Sequence, residues 1–230
     1  MEKLTKAPLT IASLRVSFAH NLHVAEKRAS YYEQIKDNFP NILMPEIKSL
    51  VADLSDCNFQ NASGASQISI ATSYFNYVTS EYGTVESFWK IFVDHFLKFS
   101  RLFSLSEAIG MNIEFRNTIR QDAKIGTNFS DYFTLETKSN TQISRSLIAV
   151  DGSVVYSVAD GFLELNIRPI QNQQTNLYDS NQFNIIFVRN TKFPLEGELT
   201  SLEKNFREAH RHIEDVFKGC LTEKYWKTIA

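Results

Sequence analysis

Three side chains in the middle of the chain have the residue types of a metal-dependent nuclease. Asp131 precedes Glu136 and Lys138, which lie two positions apart in a segment with strand character. In such enzymes two carboxylates hold Mg²⁺, and a lysine positions or activates the attacking water. The E-x-K motif is weak, because a chain of this length contains it about once by chance, and Glu46-Ile47-Lys48 is a second copy. A Mg²⁺-dependent nuclease using Asp131, Glu136 and Lys138 is therefore the alternative function.

The last third of the chain carries the candidate binding residues His210, Arg207 and Arg211. The string His-Arg-His-Ile-Glu from position 210 to 214 lacks the H-E-x-x-H spacing of a zinc site. His210 adjoins an apolar helical stripe, which is typical of a core-edge histidine that bonds a carbonyl or carboxylate. Arg207 and Arg211 indicate a solvated helix face or a modest patch for an acidic partner. We predict no metal site and no cofactor.

Other chemical motifs are weaker still. His20 and His23 have H-x-x-H spacing, with no cysteine or carboxylate ligand expected beside them. The sequence has no G-x-S-x-G elbow, Walker P-loop or G-x-G-x-x-G, and only eight glycines in all. Cys57 and Cys220 are far apart and are interpreted as buried thiols in a reducing compartment.

Composition indicates an ordinary globular chain. Its 230 residues fit a single domain over positions 1–230. The net charge of −2 does not support binding of nucleic acid through phosphates. No secretory signal is expected, and no apolar run approaches the roughly 18 residues that a membrane helix needs. We therefore expect a cytoplasmic protein without a membrane partner.

Periodic apolar residues predict three helices. They cover roughly Val24–Asp37, Thr84–Phe103 and Ser201–Leu221. The second carries five phenylalanines in one stripe, which predicts a thick packing interface or, as a smaller possibility, an aromatic pocket for a small ligand. Thr84 is the expected N-cap of that helix, and Thr200-Ser201-Leu202-Glu203 fits a capping box at the start of the third.

Alternating apolar and polar residues predict the strands. These are Leu9–Phe18, Gln67–Thr72, Met111–Arg116, Tyr132–Thr137, Ile143–Val150, Val154–Val158, Gly161–Arg168 and Phe183–Phe187. Asp151-Gly152 suits a two-residue hairpin turn, and Asn58–Ser66 is expected to be a loop. The predicted fold class is α+β, an antiparallel sheet of about six to eight strands with two or three long helices packed on one face.

The two ends of the chain are similar to those of one protein family. The opening Leu4-Thr5-Lys6-Ala7-Pro8-Leu9 and the following strand resemble the "aPivEavleirF" start of a sporadically distributed family of uncharacterised prokaryotic proteins. The segment from Phe206 to Phe217, followed by Leu221-Thr222, resembles its closing "aH..i...F...lt" signature. The family's usual glutamate is replaced here by Ala12 or a neighbour. The resemblance implies no established activity, and the family's patchy distribution is similar to that of defence and toxin–antitoxin genes.

These observations favour a non-catalytic binding or regulatory protein. An antitoxin-like or bacterial defence role is the narrower form of that hypothesis, and a protein partner or self-association is expected. The nuclease and a small-ligand module remain the alternatives.

Overall fold

A computed structural model describes residues 8–43, 56–120, 122, 124–126, 129–134, 151–158, 161–171, 173–174, 178–195 and 199–229. The strands are β1 Leu9–Ser17, β2 Asn41–Leu43, β3 Cys57–Gln60, β4 Ser66–Ala71, β5 Tyr74–Thr79, β6 Glu107–Ala108, β7 Gly110–Arg120, β8 Gly152–Val158, β9 Gly161–Gln171, β10 Tyr178–Arg189 and β11 Phe193–Pro194. The helices are α1 His23–Ile35, α2 Val85–Leu102, α3 Thr200–Cys220 and α4 Glu223–Ile229.

Nine strands form one sheet in the order β2-β3-β4-β5-β1-β7-β10-β9-β8, and every neighbouring pair is antiparallel. The predicted α+β class is confirmed. The sheet has more strands than predicted because β2, β3 and β5 were not identified. β3 overlaps the start of the expected loop Asn58–Ser66, where polar residues flank the single buried ring of Phe59.

All three long helices pack on one face of the sheet, as predicted. Every second residue of each strand points to this face. Leu14, Ile113 and Phe187, for example, are cross-strand partners on β1, β7 and β10 and lie side by side there. Rings of α1 and α2 contact β5, since Tyr31 and Phe92 both pack edge-on against Phe75. The helix face therefore holds the hydrophobic core.

α3 keeps its predicted apolar stripe, but its start differs from the prediction. Leu199 is the N-cap residue, in the left-handed region at φ 60°, and no side chain of the described residues caps the helix. The capping box at Thr200–Glu203 is therefore wrong. Burial of Leu199 in the core brings Thr200 into the helix itself. The capping box occurs in α2 instead, between Thr84 and Ser87.

Two other predictions fail locally. Gly152 is part of the extended strand β8, without positive φ, so Asp151-Gly152 does not form the expected turn. A 3₁₀ turn at Phe129–Asp131 comes before Tyr132, and Phe133 makes only an isolated bridge to Leu221, so no strand begins at Tyr132. The predicted strand Ile143–Val150 lies outside the described residues. In the described part of the chain, no helix has the length and apolarity needed to cross a membrane.

Candidate functional site: the polar face of the sheet

The nuclease residues can be placed only in part. Asp131 ends the 3₁₀ turn, and its backbone carbonyl accepts a hydrogen bond from the Thr222 hydroxyl at 2.7 Å. Glu136 and Lys138, like the second motif copy Glu46–Lys48, lie outside the described residues. The nuclease alternative therefore stays a prediction.

His210 lies between the helix layer and the sheet. Its ring packs edge-on against Phe115 with centroids 5.5 Å apart, and it also contacts Phe206. Burial lowers the pKa of His210, and Arg207 acts in the same direction, whereas Glu214 opposes them. These ring contacts place His210 at the edge of the core, whereas its expected bond to a carbonyl or carboxylate stays a prediction.

Arg207 joins two helices. Its guanidinium lies 3.2 Å from Glu86 of α2 and 3.2 Å from Glu203 one turn earlier in α3. The next turn places Arg211 on the exposed face of α3. Arg207 is thus engaged in an interhelical ion pair of the kind that contributes at most about 1 kcal/mol.

The histidines near the first strand have local partners. His20 Nδ1 is 3.2 Å from the Thr72 hydroxyl, and His23 Nδ1 is 2.8 Å from a carboxylate oxygen of Glu26. The expectation that no carboxylate lies beside them was wrong, since Glu26 is one helical turn from His23. Within the described ranges, no group of three His, Cys, Asp or Glu side chains could hold a metal ion.

The aromatic stripe of α2 is filled by ring–ring contacts. Phe92, Phe96 and Phe99 are fully buried and stack in sequence along the helix. A cavity between α1 and the β3–β4 edge, bounded by Val24 and Ile70, has a volume of about 10 Å³. That volume holds about one water molecule. Neither feature supports the small-ligand alternative.

The face of the sheet opposite the helices is polar, and we call it the polar face. It is formed by the strand residues that alternate with the core residues, and most of them are half-buried or exposed. Its polar members on these strands include Ser13, Arg15, Asn58, Gln67, Ser69, Tyr74, Asn76, Asn112, Glu114, Arg116, Thr118, Glu164, Asn166, Arg168, Gln182 and Asn184.

One row of the polar face crosses five strands without an apolar residue. Cross-strand pairing brings Asn58, Ser69, Asn76, Arg15 and Asn112 side by side in that order. Neighbouring side chains in such rows lie about 4.5–5.5 Å apart at Cβ. The row is therefore a strip of adjacent amide, hydroxyl and guanidinium groups. Arg15 is exposed in it, Asn58 and Asn112 are half-buried, and Ser69 and Asn76 are buried.

Arg15, between Asn76 and Asn112 in the strip, is exposed and held in place. Its guanidinium carbon lies 4.2 Å from the centroid of the Tyr74 ring. Tyr74 in turn donates a hydrogen bond to the Asp56 carboxylate, and burial with this bond raises the Tyr74 pKa. A stacked guanidinium keeps its in-plane N–H groups free to bind another molecule.

A second row contains two polar atoms without partners. Arg116 and Asn184 are opposite each other on β7 and β10. Arg116 Nε and Asn184 Oδ1 are both buried and have no hydrogen-bond partner in the described part of the chain, although another guanidinium nitrogen of Arg116 lies 3.0 Å from Glu114. An unsatisfied buried polar atom costs about 1–3 kcal/mol. Arg116 Nε and Asn184 Oδ1 could therefore bond a docked group without losing an existing hydrogen bond of their own.

The sequence did not single out this site. Each strand contributes only a few polar residues to it, and in sequence those residues form the solvated half of an ordinary alternating pattern. Arg15 and Asn112 are 97 positions apart but adjacent in the sheet. Only the strand order could have shown the strip.

Comparison of the chain with protein-family models and with curated proteins gives no match. The family suggested by the two ends of the chain therefore remains a resemblance.

Proposed function

We propose that this is a non-catalytic binding or regulatory protein whose protein partner docks on the polar face of the sheet. One observation carries the proposal. The three long helices of the described residues lie on one side of the nine-stranded sheet, while the other side carries a strip of adjacent amide, hydroxyl and guanidinium groups in which Arg15 is exposed.

Hydrogen-bonding capacity supports this assignment. An antiparallel sheet needs only one buried face, so its second face is free to carry polar residues. Serine or lysine would solvate that face equally well. Asparagine and arginine in the two rows add directional donors and acceptors, which favour recognition of polar groups on a partner.

The charges on the polar face favour a protein over a nucleic acid. Arg15, Arg116 and Arg168 are interspersed with Glu114 and Glu164, and Arg116 is already paired with Glu114. A nucleic-acid site instead concentrates lysine and arginine along one stripe. Mixed charges match a protein surface that carries both signs.

The experiment compares partner capture by three tagged proteins in the host cell. These are the wild type, Arg15→Glu and, as the matched control, Arg211→Glu on the exposed face of α3. We expect one protein to copurify with the wild type and the control and to be lost with Arg15→Glu. With the purified partner, titration calorimetry should show a dissociation constant at least about tenfold higher for Arg15→Glu, or about 1.4 kcal/mol.

Two results would overturn the proposal. Equal partner affinity for all three proteins would place the interface elsewhere. The second result is that no protein partner is found and the wild type instead binds RNA or DNA in a salt-sensitive way that Arg15→Glu abolishes. The partner would then be a nucleic acid. If the copurified partner is a toxin that the wild type neutralises, the narrower antitoxin-like function follows.

A further inference from the structure

The outer edge of β8 is unpaired within the described part of the chain. β8 is the last strand in the order, and it pairs with β9 on one side only. Along its other edge no strand of the described part of the chain is present. Its three central residues are unusually exposed for apolar side chains, with Val154 at 43%, Val155 at 60% and Tyr156 at 38%.

β8 lacks the features that usually prevent edge-to-edge pairing. Exposed edge strands are normally blunted by charges, proline, bulges or short length. The sequence Gly-Ser-Val-Val-Tyr-Ser-Val has no charge and no proline, and its register with β9 is regular over seven residues. The opposite edge of the sheet differs, since β2 has only three residues and follows Pro40.

The residue pattern of β8 is self-complementary. Centred on Val155, the segment Ser153-Val154-Val155-Tyr156-Ser157 has the same order of residue classes in both directions. We propose that β8 pairs with β8 of a second copy of the chain, antiparallel and in register about Val155. In this register Val155 lies opposite its own copy, Val154 lies opposite Tyr156, and Ser153 lies opposite Ser157.

Each of these pairs is a favourable cross-strand combination. The aromatic ring of Tyr156 would pack against Val154 of the other copy, and serine hydroxyls would bond each other on the opposite face. Such pairs each contribute roughly 0.2–1 kcal/mol. Within one chain Val154 and Tyr156 are already paired with the buried residues Leu165 and Leu163 of β9, so the second copy would extend the apolar layer.

The dimer has a defined architecture. Residues opposite each other in an antiparallel pair point to the same side of the sheet. The two nine-stranded sheets would therefore join with both helix layers on one side and both polar faces on the other. This inference does not depend on the proposed function, although a dimer would present two polar faces to one partner.

The test measures oligomeric state together with charge substitution at the symmetric position. By sedimentation velocity at micromolar concentrations, the wild type should be a dimer with twice the 26.4 kDa mass of the chain. Val155→Lys and Val155→Glu should each be monomeric, because like charges would lie opposite each other. An equimolar mixture of the two variants should recover the dimer, because the proposed register places the lysine of one copy opposite the glutamate of the other. A pairing in another register would not bring these two charges together.

The matched control is Ile42→Lys in β2, which places a lysine at an apolar residue that is 43% exposed on the other edge. It should remain dimeric. A second readout does not depend on disrupting the dimer. After oxidation in air, in which dioxygen accepts the two electrons, Val155→Cys should give a disulfide-linked dimer on a non-reducing gel, whereas Ile42→Cys should not.

Three results would overturn the proposal. They are a monomeric wild type, a dimer that persists in Val155→Lys, and single-charge variants that dissociate but do not reassociate on mixing. A monomeric wild type in which Val155→Cys forms no dimer would indicate that another part of the same chain covers β8. Circular dichroism would verify that the variants stay folded.

Discussion

Phe206 of α3 stacks on Trp89 of α2, with ring centroids 4.7 Å apart and planes inclined by 19°. Phe206 is completely buried, and Phe88 lies beside it with a centroid separation of 6.1 Å. Rings from the apolar face of each helix thus join the two amphipathic helices. This contact ties the C-terminal helix to the phenylalanine-rich layer over the sheet.

Substituting Phe206 with alanine should destabilise the protein by about 3–5 kcal/mol, because a fully buried ring leaves both lost transfer energy and a cavity. Urea unfolding measured by tryptophan fluorescence and circular dichroism gives the change in free energy. Ile91→Ala is the control on α2, since Ile91 is 42% exposed and should cost less than about 1 kcal/mol. A loss below about 1 kcal/mol for Phe206→Ala would contradict the packing described.

The helices were predictable because each has a long apolar stripe. In α3 the stripe from Leu202 to Cys220 gives a signal over five turns, and the structure buries the apolar side chains Leu202, Phe206, Ala209, Ile213, Phe217 and Cys220. The helix start was not predictable, because Thr200 and Glu203 satisfy a local rule that burial of Leu199 overrides. Local capping contributes about 1 kcal/mol, whereas burying a leucine contributes roughly 1.5–3 kcal/mol.

The short strands and the polar face could not be predicted for a different reason. β3 and β5 are four and six residues long, so few alternations distinguish them from loops. Asn76 of β5 joins the polar strip through pairing with Arg15, 61 positions earlier. Sequence periodicity assigns residues to a face, but adjacency on that face depends on strand order.

The second prediction concerns the space around two glycines in neighbouring strands. A Cβ at Gly161 of β9 would overlap the backbone carbonyl oxygen of Val188 in β10, whereas a Cβ at Gly152 of β8 meets nothing within 4 Å. Gly161→Ala must therefore displace backbone and should destabilise the protein by about 1–3 kcal/mol. Gly152→Ala, the control, should change the unfolding free energy by less than about 0.5 kcal/mol. Equal unfolding midpoints in thermal and urea melts would contradict the close approach at Gly161.

His95 is a buried ionisable group in the middle of α2. It is 3% exposed, its ring packs edge-on against Phe39 at 4.9 Å, and its Nδ1 atom has no hydrogen-bond partner in the described part of the chain. Burial lowers the pKa of His95 from 6.5 to about 4, with Lys98 acting in the same direction and Asp94 opposing it. The folded protein therefore holds the neutral imidazole.

The burial of His95 predicts that the unfolding free energy falls in acid, and that one substitution at His95 removes this part of the fall. Between pH 6.5 and 4 the unfolded chain binds a proton at His95 that the folded chain does not, so stability is complete above pH 6.5 and falls as the pH decreases. The loss across this window should be about 2–3 kcal/mol. His95→Phe keeps a ring against Phe39 and should remove this part of the pH dependence, whereas His20→Gln, at an exposed histidine, should retain it. Urea unfolding of the three proteins at pH 7, 5.5 and 4.5 measures the difference, and parallel pH profiles for His95→Phe and the wild type would show that His95 is not the group responsible.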